Sequence, residues 1–272
     1  MSKVWFITGT SRGFGREWAL AALERGDRVA GTARELSTLD SLVKQYPETF
    51  LALPLDVTDR DGDFAAVRRA ASHFGRLDVV VNNAGYGQFG MIEELTEDEV
   101  RAQLETNVFG ALWVTQAALP ILREQGSGHI LQVSSIGGIS AFPGVGAYHA
   151  SKWALEGFSQ ALAQEVAPFG IHVTLIEPGG FSTDWAGSSA KRSAQLPAYA
   201  AAWAADRERR GSMSRGNPGT SSEAVLKVVD AEKPPLRVFL GRAPLGIAEA
   251  DYASRLATWR EWQDVAVAAH GD

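Results

Sequence analysis

Val4-Trp5-Phe6-Ile7-Thr8-Gly9-Thr10-Ser11-Arg12-Gly13-Phe14-Gly15 runs into a helical stretch over residues 16–25. The four apolar residues at the start read as a buried strand, and the three glycines that follow read as a tight turn into a helix. Glycines let the backbone turn sharply and come close to a pyrophosphate. The helix start behind them offers free N–H groups and the positive end of a dipole. The spacing is G-x-x-x-G-x-G rather than the commoner G-x-G-x-x-G, and no Gly-Lys-Ser/Thr follows, so a nucleoside-triphosphate P-loop is excluded. Strand, glycine turn and helix in this order predict a dinucleotide site at the edge of an α/β sheet.

Working outward, further apolar runs recur at 28–32, 50–55, 77–81, 129–133, 172–176 and 237–240, each separated by a longer amphipathic stretch. Val79-Val80-Val81 does not alternate apolar with polar, as suits a strand buried on both faces of a parallel sheet. Thr96-Glu97-Asp98-Glu99 reads as a capping box, and Thr58 before Asp59 as a second helix cap. Strands alternating with helices predict right-handed crossovers and a Rossmann-type, doubly wound parallel sheet of seven strands, with residues 1–272 as a single domain. Residues 184–217 break the rhythm: no strand is expected there, and Pro197 is placed to open a short helix through Tyr199 and Trp203 towards Arg210. A segment of this length without a strand is expected to be a mobile lid. Residues 246–268 form a helical extension, with Tyr252, Leu256, Trp259 and Trp262 at helical spacing, which docks either on its own subunit or at an oligomer interface.

Composition narrows the function. A net charge of −6 argues against a nucleic-acid binder. Without cysteine there is no disulfide, thiolate nucleophile or cysteine-ligated metal, and the five histidines stand at no ligand spacing, so no metal site is expected. No apolar run approaches the length of a membrane span, and a soluble cytoplasmic protein is expected.

The second strand ends Thr32-Ala33-Arg34. An NAD site wants an acid there for the ribose 2′-hydroxyl, whereas a 2′-phosphate wants arginine. Arg34, with Arg12 in the glycine turn, therefore favours NADP(H) over NAD(H). Asp56, after the third strand, is an acceptor for the adenine amino group or a cap for the next helix. Tyr148 and Lys152 stand four residues apart in Tyr-His-Ala-Ser-Lys, with Ser135 thirteen residues before the tyrosine. On a helix that spacing puts phenol and ammonium on one face, where the cation is expected to lower the phenol pKa and suit it to proton exchange with a carbonyl/alcohol pair. His149 points about 100° away from Tyr148 and is expected to be a bystander.

The ordered set of glycine turn, Asn82-Asn83-Ala84-Gly85, Asn107, Ser135, Tyr148, Lys152 and Pro178-Gly179 resembles the short-chain dehydrogenase/reductase family, strongly over residues 3–185 and more loosely beyond. The resemblance implies a seven-stranded sheet with the active site at the carboxyl ends of its strands. It implies Tyr148 as acid/base and Lys152 as ligand of the nicotinamide ribose. Ser135 would hold the substrate oxygen and Asn107 a water chain to Lys152. The cofactor would lie along Gly9, Ser11, Arg12, Gly13, Phe14 and Gly15, then Arg34, Asp56 and Val57. Asn83, Ala84 and Gly85 would pack at its middle, and Tyr148, Lys152, Pro178, Gly179, Phe181 and Thr183 at its nicotinamide end. Gly180 departs from the pattern and is expected to loosen the turn after the sixth strand.

In this family the segment after the sixth strand covers the pocket. Trp185, Tyr199 and Trp203 there, with Phe89 and Phe142, make an apolar ketone or secondary alcohol the expected small-molecule substrate of an NADP(H)-dependent carbonyl reductase. The runner-up is an acyl-carrier-protein 3-ketoacyl reductase, for which Lys191, Arg192, Arg207, Arg209 and Arg210 would form the docking patch. A non-catalytic NADP(H)-binding regulator would not need Asn107, Ser135, Tyr148 and Lys152 together. A homodimer or homotetramer is expected, without membrane or nucleic-acid partners.

Overall fold

The β-branched runs become strands because both of their faces are covered. In the computed structural model, which describes residues 2–271, β1 (Val4–Ile7) and β4 (Val79–Asn82) are buried at every position. With β2 (Arg28–Ala33), β3 (Phe50–Pro54), β6 (Gly128–Val133), β7 (Ile171–Pro178) and β9 (Arg237–Leu240) they form a parallel sheet in the order β3-β2-β1-β4-β6-β7-β9. The order reverses between β1 and β4, so the loops leaving these strands diverge and open a crevice at their carboxyl ends. One face carries α3 (Arg60–Phe74) and α5 (Gly110–Gln125) over Phe6, Val80 and Ile130; the other carries α1 (Gly13–Glu24) and α8 (Ser221–Asp230) over Trp5, Val81 and Leu131.

The Thr96 cap forms as expected at α4 (Glu97–Leu104): its side chain accepts the Glu99 N–H, and the Glu99 carboxylate accepts the Thr96 N–H. The second of these helices starts one residue later than expected, and no side chain caps it. Asp59, not Thr58, precedes α3, while Thr58 is turned back to donate its N–H and hydroxyl to Asp56. Two short strands were not legible: β5 (Gln88–Phe89) pairs with β8 (Lys191–Arg192) inside the segment expected to lack strands. Pro197 opens a 3-10 turn that continues into α7 (Ala200–Ser212). After α6 (Gly146–Val166) and β9, α9 (Pro244–Glu261) and α10 (Gln263–Ala268) end the fold. The extension touches the body through Pro244, Ala248, Asp251 and Arg255. Tyr252, Leu256, Trp259 and Trp262 are exposed, so that face does not dock on its own subunit. No described helix is long and apolar enough to cross a membrane.

Asp63, in the first turn of α3, is fully buried and neither carboxylate oxygen has a partner. Burial first, then Asp59 and Asp56, push its pKa up to about 8. Because the folded pKa is raised, its contribution to stability is whole below the unfolded value and is lost as pH rises through about 8. Asp63→Asn should therefore raise Tm markedly at pH 9 and little at pH 4. An equal change at both, read by thermal unfolding, would contradict this account.

Candidate active site

Every element that reaches the crevice places one part of the site. Gly9 (φ 71°) and Gly13 (φ 60°) adopt the left-handed backbone that lets the turn after β1 double back. Gly15 faces inward rather than onto the cleft: a Cβ there would stand 2.4 Å from the Gly9 carbonyl oxygen and 2.5 Å from Asn83 Nδ2. Its bare Cα lets α1 seat against the turn, and no side chain of the preceding Arg12 caps the helix start. Asn83 locks β4 to the same turn, donating from Nδ2 to the carbonyls of Thr8 (2.9 Å) and Gly9 (3.0 Å). Thr8 Oγ1 in turn accepts the Asn83 and Ala84 N–H groups. Uncapped N–H groups, a glycine turn and no side chain in the way fit a dinucleotide pyrophosphate.

The cleft has a volume of about 900 Å³. Gly9, Ser11, Arg12, Gly13 and Phe14 line it, as do Arg34, Asp56, Val57, Asn83, Ala84 and Gly85. Its other end is walled by Ser135, Tyr148, Lys152, Pro178, Gly179, Phe181 and Thr183. Phe14 and Phe181 meet edge to face, with ring centroids 5.0 Å apart. The turn at Gly180 is pinned rather than loose, because its carbonyl accepts the Gly216 N–H (2.9 Å) and Phe181 bridges to Gly216. Arg34 is exposed at the rim. Arg12 is tied across the cleft, its Nη1 2.6 Å from Asp184 and 2.9 Å from Ser188.

α6 presents Tyr148 and Lys152 on one face, both buried. Lys152 Nζ donates to the Val133 carbonyl at the end of β6 (2.7 Å) and lies 5.7 Å from the Tyr148 ring centroid. Ser135, in the loop after β6, accepts the Gly137 N–H at Oγ (3.0 Å). The expected lowering of the Tyr148 pKa is corrected by the structure. Burial pushes it up to about 12, and the opposing influence is a hydrogen bond with Ser135 rather than the ammonium. Burial also lowers Lys152 to about 8, against the pull of Glu156. At neutral pH the phenol therefore holds its proton and the lysine its charge.

Asn107 lies in a π-helical turn (Glu105–Phe109) between α4 and α5, buried behind the cleft wall. The wide turn rotates its amide inward. Nδ2 donates to the Tyr86 carbonyl and to Ser151 on α6 (3.1 Å each), and Oδ1 accepts the Tyr86 N–H. Both amide hydrogens are committed, so Asn107 braces Tyr86 and α6, and any water of the chain that the resemblance implied would have to donate to one of its carbonyl oxygens. His149 is a brace as well: one ring nitrogen bonds the Gly137 carbonyl (2.8 Å) and the other accepts the Phe142 N–H (2.9 Å). Burial lowers its pKa, which favours the neutral ring that those two bonds require, and the bonds fix the loop carrying Ser135.

Of the expected pocket aromatics, Phe142 and Trp185 line the cleft; Phe89, Tyr199 and Trp203 do not. The Trp185 ring lies 4.9 Å from that of Tyr148 and rests on Gly87, where a Cβ would come within 2.7 Å. Trp203 instead packs with Phe89, Met91 and Val145, and donates to the buried Glu94 carboxylate. Glu94 also takes the N–H of Leu196 and of Met91, while Tyr199 is drawn outward to Glu93. An indole with such partners is more stable under the lid than facing substrate. These bonds tie the segment over 191–212 to the body of the fold. Trp203→Ala should lower Tm, since truncating a buried Trp costs about 3–5 kcal/mol. It should also open this segment to limited proteolysis, which the parent protein should resist; equal cutting of both would contradict the anchor. Tyr86, on the cleft wall directly after Asn82-Asn83-Ala84-Gly85, was not singled out from the sequence although its position beside that motif marked it.

Comparison with known proteins agrees with this geometry. The family model for short chain dehydrogenase matches residues 3–195. Oxidoreductase BOA17 of Botryotinia fuckeliana is 44% identical over 99% of this chain and 100% of its own length. The 3-ketodihydrosphingosine reductase of Bacteroides thetaiotaomicron is 38% identical over 86% of each chain. A short-chain dehydrogenase structure from Streptomyces avermitilis superposes with a TM-score of 0.93 at 42% identity, covering 98% of both chains. The chain belongs to the short-chain dehydrogenase family. It is an oxidoreductase that exchanges a hydride with a nicotinamide dinucleotide, NAD(H) or NADP(H).

Proposed function

We propose that the protein is an NADP(H)-dependent carbonyl reductase acting on an apolar ketone, reversible as an alcohol dehydrogenase. The observation that carries this reading is Tyr148, buried, its pKa pushed up to about 12 by burial, with Ser135 against its hydroxyl and Lys152 one turn along the same helix. A bound nicotinamide supplies the hydride. Ser135 holds the ketone oxygen, and Tyr148 gives that oxygen its proton. The Lys152 charge then stabilises the phenolate left behind. Trp185 and Phe142 give the substrate an apolar wall and keep water from the carbonyl. In this reading, Asp184–Ala190 is the part of the lid that moves, released from the Arg12 contact, while the Trp203 region stays fixed.

Arg34 at the rim, one residue before Glu35, stands where an NAD site would place its acid and supports NADP(H). Asp56 faces the same cleft and supports an adenine contact through its second oxygen, since Oδ1 is bonded to Thr58. The exposed Trp153 and Phe158 of α6, with Trp259 and Trp262 of the extension, support a homo-oligomer. A panel of aliphatic and aromatic ketones assayed with NADPH and with NADH tests the central reading. Faster reduction of apolar ketones with NADPH is expected; preference for polyols, or for NADH, would overturn it.

A further inference from the structure

The substrate end of the cleft carries a charge that ketone reduction does not use. The protein is acidic, with a net charge of −6. Yet Lys191, Arg209, Arg210 and Arg215 all line the same cleft as Tyr148 and Trp185. Of the carboxylates on its walls, Asp184 is bonded to Arg12 and Asp56 to Thr58; the third is Glu105.

Three of these cations, Lys191, Arg209 and Arg210, are oriented by neighbours. Lys191 stands on β8, its N–H bonded to the Gly87 carbonyl (3.1 Å), and its ammonium lies over the Tyr86 ring at 4.7 Å. Arg209 lies over Phe142 at 5.6 Å and Arg210 over Phe89 at 4.7 Å. Asp206, buried behind them on α7, accepts from Arg209 Nη2 with one oxygen and from Arg210 Nε with the other. One carboxylate thus orients two guanidinium groups and leaves a net positive charge. Arg209 Nη1 keeps only a 4.0 Å contact with Met213 Sδ, and Lys191 makes no ion pair among the described residues. The charges of both arginines also act to lower the His149 pKa, which places them beside the neighbour of Tyr148. On the same walls, the Tyr86 hydroxyl and the Trp185 indole N–H have no acceptor in the protein.

Cations oriented around an apolar wall bind an anionic group on a hydrophobic molecule better than a neutral one. We propose that the substrate is an apolar ketone bearing an anionic group, a carboxylate or a phosphate, which Lys191 and Arg209 bind while the ketone lies under Trp185. This rests on the ketone-reductase reading above and narrows its substrate class.

The test is a series of keto acids of increasing length and their methyl esters, assayed with NADPH at low and high salt. At one length the acid should exceed its ester in kcat/KM by roughly tenfold or more, and added NaCl should shrink that ratio. In Lys191→Gln/Arg209→Gln the ratio should collapse towards one, whereas Arg209→Lys, which keeps the charge, should preserve most of it. Esters reduced as well as acids at every length would overturn the proposal and leave ketone reduction standing. So would an acid advantage that survives the double variant. A gain seen only with an acyl-carrier-protein thioester, and not with the free acid or coenzyme A thioester, would overturn it in favour of a protein docking patch. No turnover of any ketone would overturn both readings.

Discussion

Tyr148→Phe should lower ketone turnover by about 10²–10⁴-fold, the usual weight of a positioned general acid, while binding of the nicotinamide dinucleotide stays nearly unchanged. The substitution removes one hydroxyl and keeps the ring that packs against Trp185. The structure adds a pH signature. Lys152 has been lowered to about 8 by burial, so it is charged below that pH and neutral above it. The kcat/KM for reduction, which reports the free enzyme, should therefore fall above about pH 8 through loss of this charge. Lys152→Met should abolish that limb and weaken cofactor binding as well. A parent-like rate in Tyr148→Phe would refute the assigned proton donor.

Arg34→Asp should turn the preference from NADPH to NADH. Removing one partner of a charge pair and placing a like charge there costs about 2 kcal/mol or more, roughly 30-fold in Kd. Arg34 lines the cleft and makes no ion pair among the described residues, whereas Arg12 is tied to Asp184 and Ser188. Arg34→Asp should accordingly cost more NADPH affinity than Arg12→Ala. Titration of both cofactors against both variants checks this. Unchanged NADPH affinity in each would mean that neither arginine meets the phosphate.

What could be read from the sequence was local. The glycine turn, the Thr96 cap and the Tyr148–Lys152 face follow from backbone geometry and i, i+4 spacing, so a few adjacent residues carry the signal. The seven strands followed from apolar runs too short and too continuous for amphipathic helices. What escaped depended on partners far along the chain. Trp203 reads as a pocket aromatic until Glu94, 109 residues earlier, is seen to take its N–H. The Tyr148 pKa could not be signed from the Lys152 spacing alone, because burial outweighs the ammonium and burial belongs to the assembled fold. Asn107 and His149 are likewise defined by bonds to Tyr86, Ser151, Gly137 and Phe142 that no spacing rule encodes.

In the proposed reaction the hydride passes directly from the nicotinamide to a ketone carbon beside Tyr148. This transfer is tested most directly by incubating the enzyme with an apolar ketone and NADPH carrying two deuterium atoms at nicotinamide C4. Mass spectrometry of the product should show an alcohol with one deuterium on the carbinol carbon. Alcohol formed without the label, or cofactor oxidised without alcohol, would contradict it.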